Sequence, residues 1–263
     1  MKVAAIMGSP HKGNSFKATE RIEKKLTDYG DVEFEYIPLK DMDIKPCRGC
    51  FTCFLKGEES CPLKDDKLLI DEKIGRADGV IFASPVYAMH ISYLMKQYID
   101  RSAYIFHRPR YFGKYAIAVC TAGAVGTKEA LSYLKIVASG WGFAYVDGLG
   151  YSMPPKEMNM PPLQNKDRTD AVVDRFYRAM KEKLPARLSL MDHIGFHAMR
   201  EVYSRMENHS PTDYAYWKAG GWLDKKARYY TSHAKTDPFK GFAARVVSGF
   251  ISRQIDKSMK RKG

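Results

Sequence analysis

Four of the chain's five cysteines fall within fifteen residues, as Cys47, Cys50, Cys53 and Cys61 in CRGCFTCFLKGEESC, separated by two, two and seven residues. Thiols this close bind metal, do redox chemistry or pair as disulfides, and in a reducing compartment the first two outrank the third. Three cysteines at successive two-residue gaps suit a short turn that wraps three corners of a [4Fe–4S] cubane; a metal-free reduced loop, zinc and a disulfide remain open. The fifth, Cys120, stands far away at the end of an apolar run and reads as a packed core thiol.

A second set of residues suits an anion. GSPHKGNSF at 8–16 lies between an apolar run and a helical pattern. Its spacing comes close to a triphosphate P-loop, but Asn14 stands where the phosphate-reaching lysine would be, and no G-x-G-x-x-G is present. What remains is backbone amides at a helix N-terminus plus Ser9, Asn14 and Ser15, a donor set for one terminal phosphate. The ordinary alternative is that Asn14 or Ser15 merely caps the helix. Two further loops suit a planar ring. In SPVYAMHISYLMKQYIDR, at 84–101, Pro85 restrains the turn, Tyr87 offers a flat face, and Val86, Ala88 and Met89 present backbone to a heterocycle edge. In TAGAVGTKEA, at 121–130, Gly123 and Gly126 allow close backbone approach.

These loops need a scaffold that brings them together. The apolar, β-rich runs 3–7, 79–84, 115–120 and 143–151, with half-buried 32–37, alternate with helical patterns near 15–29, 65–76, 90–104 and 127–140. This alternation predicts an α/β fold, a doubly wound five-stranded parallel sheet of flavodoxin-like type, with ligands outside the carboxyl ends of its strands. After about residue 152 come Met-Pro-Pro at 153–155 and again at 160–162, a helix near 167–184, and a Tyr-, His- and Lys/Arg-rich stretch with helices near 186–207 and 242–260. The expected division is a flavodoxin-like domain over 1–185 and a basic, mainly helical extension over 186–263.

The formal net charge of +13 admits nucleic acid, anionic membrane or a small anion as partner. No zinc-finger, helix-turn-helix or RNA-binding signature stands out, so nucleic acid ranks low. Residues 240–263 carry seven Lys or Arg against one Asp, with apolar residues at 242, 246, 250, 251, 255 and 259. That pattern is an amphipathic basic helix, docked on a partner subunit or, second, on an anionic membrane surface. The first apolar run is too short for a signal peptide and no stretch reaches a membrane span, which predicts a cytoplasmic protein.

GSPHKGNS, SPVYAMHISYLMKQYIDR and YFGKYAIAVCTAGAVG, in that order, resemble the flavin-binding segments of the NAD(P)H-dependent flavin reductase and iron-sulfur flavoprotein group of the flavodoxin-like superfamily. The resemblance spans about residues 1–150. It implies FMN with its phosphate on Ser9, His11, Asn14, Ser15 and Phe16, and its isoalloxazine against Pro85, Val86, Tyr87, Ala88 and Met89 and against Thr121, Ala122, Gly123 and Gly126. It also implies an oxidoreductase that passes electrons from NAD(P)H or a reduced carrier to a quinone, a flavin or a redox protein, as a homodimer or homotetramer. The second reading is a non-enzymatic flavodoxin-like electron carrier. The cysteine spacing and LKDD at 63–66 are similar to the iron-sulfur members. WKAGGWLDKKARYY at 217–230 is similar to C-terminal segments of longer members. Arg101, Arg108 and Arg110 are candidate contacts for a nicotinamide phosphate, and His90 and His107 have no assigned role.

Overall fold

In a computed structural model, residues 1–153, 167–232 and 234–260 are described, without the side chains of 251, 254–256 and 258–260. Both Pro-Pro pairs, and the apolar positions 251, 255 and 259, therefore lie outside what is described. Among the described residues no helix is long and apolar enough to cross a membrane.

Contacts divide the chain into two units. The first comprises Met1–Arg48, Leu63–Ala103 and Gly113–Leu184. Its strands are β1 (Lys2–Met7), β2 (Glu33–Pro38), β3 (Gly79–Tyr87), β4 (His90–Ile91), β5 (Tyr115–Ala122) and β6 (Ala144–Ser152). The sheet order β2-β1-β3-β5-β6 is parallel throughout, and β4 returns antiparallel against the end of β3. The order reverses direction at β1/β3, the switch point where such sheets hold ligands. In this unit the helices are α1 (Asn14–Thr27), α3 (Lys67–Arg76), α4 (Tyr93–Arg101), α5 (Thr127–Gly140) and α6 (Thr169–Lys181).

Side chains alternate across a strand, so each sheet face builds its own core. Val3, Ala5, Met7, Ile81, Ala83, Ile117 and Val119 pack with Ile22 and Leu26 of α1 and Val172 and Phe176 of α6. Phe82, from the opposite face of β3, meets the edges of Trp141 and Phe143, and Tyr98 of α4 meets Trp141 edge-on. Burying both faces leaves few polar positions inside the strands, which is why they read as near-continuous apolar runs.

The second unit comprises Gly49–Pro62, Tyr104–Phe112 and Pro185–Gly263. It holds α2 (Thr52–Leu55), α7 (Leu190–Tyr203), α8 (Pro211–Ala219) and α9 (Pro238–Lys260). Ser189 opens α7 with a capping box, its hydroxyl accepting from the Asp192 amide while the Asp192 carboxylate accepts from the Ser189 amide. Phe196, Tyr203 and Trp217 form its core with Trp222, Tyr229 and Tyr230 packed against them. The aromatic residues of 217–230 are thus structural material of this unit. The charge-rich segment α9 buries Ala244 and Ser248 and leaves Phe239, Phe242, Val246 and Phe250 exposed.

Two expected helices differ in extent. The pattern near 90–104 begins only at Tyr93, because residues 90–91 pair with Val86 and Tyr87 as a hairpin and Ser92 then caps α4, accepting from the Met95 amide at 3.2 Å. The last helix starts at Pro238, whose fixed φ suits a first helical position, with Asp237 accepting from the Phe239 and Lys240 amides.

Candidate functional site

The loop after β1 begins α1 at Asn14 with Gly13 as N-cap, which has no side chain to satisfy the first-turn amides, and that turn holds no acidic residue. Neither Asn14 nor Ser15 caps the helix. The Asn14 side-chain amide donates to the Met153 carbonyl at 3.2 Å, leaving one of its two hydrogens over. Ser15 is buried and lies 2.6 Å from the Thr121 hydroxyl, so one of the pair keeps its proton for another acceptor. Ser9 is buried and its hydroxyl donates to the His11 carbonyl at 2.7 Å. The exposed His11 ring covers Gly13, where an added Cβ would meet Nε2 at 2.7 Å. Phe16 stacks on Tyr36 with centroids 4.9 Å apart, and Lys12 sits over the Phe16 ring. Free amides, the positive helix end and an absence of local acid make this α1 terminus able to hold one phosphate group.

Beyond buried Pro85, β3 and β4 form a hairpin closed by Ala88 and Met89 at φ 46° and 66°. Positive φ at both turn residues is the type I′ geometry that matches strand twist, and here it is imposed on two side-chain-bearing residues. The turn leaves Tyr87 43% and Met89 50% exposed, apolar surface placed at the strand ends rather than in a core. Ser84 and Ser92 pin its base: the Ser92 amide donates to the Ser84 hydroxyl at 3.0 Å, and the Ser92 hydroxyl donates to the Gly8 carbonyl at 2.5 Å.

The three loops touch. At Gly8 an added Cβ would meet Met95 Cβ and Ser92 Oγ, both at 2.9 Å, so the first loop lies directly on the second. Gly126, at φ +97°, would carry a Cβ into Val86 Cγ1 at 2.8 Å and Met89 Cα at 3.1 Å, so the third loop closes on the hairpin. Thr121 and Ala122 are the buried end of β5, and exposed Gly123 lies between them and Gly126. The structure therefore gathers every residue named for the phosphate and ring loops along the carboxyl ends of β1, β3 and β5.

Cys47 and Cys50 are exposed, Cys53 and Cys61 half-buried, and none is in a disulfide. Among the described residues no group of three or more His, Cys, Asp or Glu side chains is arranged to hold a metal ion. Burial pushes the Cys120 thiol up to about 12, which makes it an inert core group. The arginines named for a nicotinamide phosphate are instead paired. Buried Arg101 meets Asp65 at 3.0 Å, which gives LKDD a local purpose, since Asp65 and Asp66 also accept from the Lys45 and Asp43 amides. Arg108 is buried against Asp213 and Glu58 and donates to the Cys53 carbonyl at 2.7 Å, while Arg110 pairs with Glu58 at 2.5 Å. With Ser210 and Thr212 donating to the Phe54 and Leu55 carbonyls, Arg108 fixes the end of the short helix that carries Cys53. His107 is bound to Asp213 at 2.9 Å and His90 packs on Tyr133.

Residues 1–157 match the family model of NADPH-dependent FMN reductases. An iron-sulfur flavoprotein of Archaeoglobus fulgidus is 29% identical over 229 residues, 85% of this chain and 100% of that one. Another, from Clostridioides difficile, is 31% identical over 189 residues, 70% of this chain and 81% of its own length. Among solved structures, a flavone reductase shares the fold with a TM-score of 0.52 at 16% identity, over 72% of this chain and 66% of the other.

Proposed function

The chain belongs to the NADPH-dependent FMN reductase and iron-sulfur flavoprotein family and is an FMN-dependent oxidoreductase, and from that premise we propose which groups hold the cofactor and what they exchange electrons with. The phosphate lies at the α1 terminus, held by the first-turn amides, the Asn14 side chain and Ser15. The ring lies between the hairpin Pro85–Met89 and the segment 121–126. The observation that carries this is the mutual closure of three loops, in which Gly8 and Gly126 admit neighbours that a Cβ would displace. Bound there, FMN supplies the hydride-accepting and electron-donating chemistry. The protein's part is placement. The Ser15–Thr121 contact orients the phosphate loop, and the Ala88-Met89 turn aims backbone at the ring edge.

The electron donor is NADPH or NADH, and the acceptor is a small quinone, a free flavin or a redox protein. Cys47, Cys50, Cys53 and Cys61 are the donor set for a [4Fe–4S] cluster, a reading supported by their spacing and by the relatives' names. Among the described residues no group of three or more His, Cys, Asp or Glu side chains is arranged around a metal position, so the electron exchange is assigned to the flavin alone. Anaerobic addition of NADPH or NADH to FMN-loaded protein should bleach the flavin band, and a quinone should restore it. A flavin reducible by dithionite but by neither nucleotide would overturn the donor assignment. Anaerobically purified protein should carry about four irons and four sulfides per chain, lost together in Cys50→Ala; iron-free protein with full reductase activity would remove the cluster.

A further inference from the structure

A cavity of about 320 Å³ lies within the second unit, lined by α7, the segment 225–228 and the start of α9. That volume suits a small molecule and far exceeds a single water. Its lining includes His193 and His197, which are 1% and 2% exposed. Both ring nitrogens of His193 and Nδ1 of His197 are buried without a hydrogen-bond partner among the described residues. Such groups are costly unless something fills the space beside them. Lys225, Lys226, Arg228 and Arg245 also line the cavity. Asp237 is the one acid in the lining, and its carboxylate already accepts from the Phe239 and Lys240 amides. Burial lowers both histidines, His197 to about 4 with Arg200 and Arg245 adding to the effect, so each ring is neutral near pH 7 and offers one N–H.

We infer that this cavity is a binding site for a phosphoryl group, seated on the unpartnered imidazoles of His193 and His197 and neutralised by Lys225, Lys226, Arg228 and Arg245. The site goes beyond the flavin chemistry proposed above and uses none of its residues. A phosphate oxygen accepts the N–H that each imidazole leaves unmade, while the exposed cations balance its charge without requiring the histidines to ionise. The same chemistry is offered by a soluble phosphomonoester and by a lipid headgroup, and the test separates them.

FMN-loaded protein is used, so that the α1 terminus is already filled. Calorimetric titration with inorganic phosphate and with adenosine 2′-monophosphate should show saturable binding, and the imidazole nitrogen signals of two histidines should move with it. Arg245→Gln and Lys226→Gln, both exposed positions, should each weaken binding by about tenfold, consistent with loss of a charge-assisted contact. Sedimentation with phosphatidic-acid vesicles identifies the source: vesicle binding lost in the same variants assigns a headgroup, and free-ligand binding without vesicle binding assigns a soluble phosphate. Absence of saturable binding with unmoved imidazole signals overturns the site, as does binding that both substitutions leave unchanged.

Discussion

Asn14 stands at the first helical position of α1, where a carboxylate favours the bare helix and repels a phosphate. Asn14→Asp should therefore act mainly on the cofactor: in the flavin-free protein the gain at the helix end is offset by loss of the donor to the Met153 carbonyl, which leaves stability within about 1 kcal/mol, while FMN affinity falls by about 10- to 100-fold. Thermal melts of flavin-free protein and fluorescence titration with FMN report the two effects, and a loss in both would mean that Asn14 matters only for folding. Cys120 gives a second prediction. With its thiol held up near 12, it stays protonated through pH 9 and should resist iodoacetamide in the folded chain, whereas exposed Cys47 and Cys50 react when no cluster is bound. Mass mapping of the labelled peptides checks this. The sequence placed Ser15 and Thr121 on two separate loops, but carried no sign that they bond to each other across 106 positions. Arg101, Arg108 and Arg110 were legible as a cationic cluster, and their acidic partners were not, since Asp65 and Asp213 lie far off in sequence.

Among the elements, β1, β3 and β5 announced themselves because both faces of the central sheet are buried, half-buried β2 and β6 were legible from their β-rich runs, and the α1 and α5 patterns gave helices near their observed spans. Short α2 and α8 did not, since α2 has only four residues and α8 alternates aromatic and polar positions with little facial contrast. β4 was hidden because Ala88-Met89 is an unusual pair for a turn that favours Asn-Gly. Ala88→Asn, which tolerates positive φ, should stabilise the protein by about 1 kcal/mol, read as a rise of about 2–4 °C in Tm. The end of α2 depends on Arg108. Arg108→Met removes the guanidinium from the buried Asp213 carboxylate, leaving it His107 and Ser210, and should cost about 3 kcal/mol, with cleavage by protease appearing first within 49–62. Asp167, ahead of α6, accepts from the Thr169 amide and pairs with Arg21 at 2.6 Å, and these contacts lower its carboxyl to about 2. Its folded value lies below the unfolded one, so its contribution is present above about pH 4 and fades as pH falls toward 2. Asp167→Asn should melt lower than the parent at pH 7, with the gap closing near pH 2.

For the molecule as a whole, α9 leaves Phe239, Phe242, Val246 and Phe250 exposed along one stripe. We propose that a second copy of the chain covers it, which makes the protein a homodimer or a homotetramer. Phe242→Glu with Phe250→Glu should lower the mass measured by light scattering; an unchanged mass together with loss of binding to anionic vesicles would assign the stripe to a membrane surface instead. The proposed chemistry depends on one cofactor in one crevice. Flavin released by heat from the purified or reconstituted protein and identified by chromatography tests it most directly. FMN at about one per chain, held far more weakly after Asn14→Asp, is the predicted result. Recovery of FAD, or of no flavin after reconstitution with FMN, would contradict it.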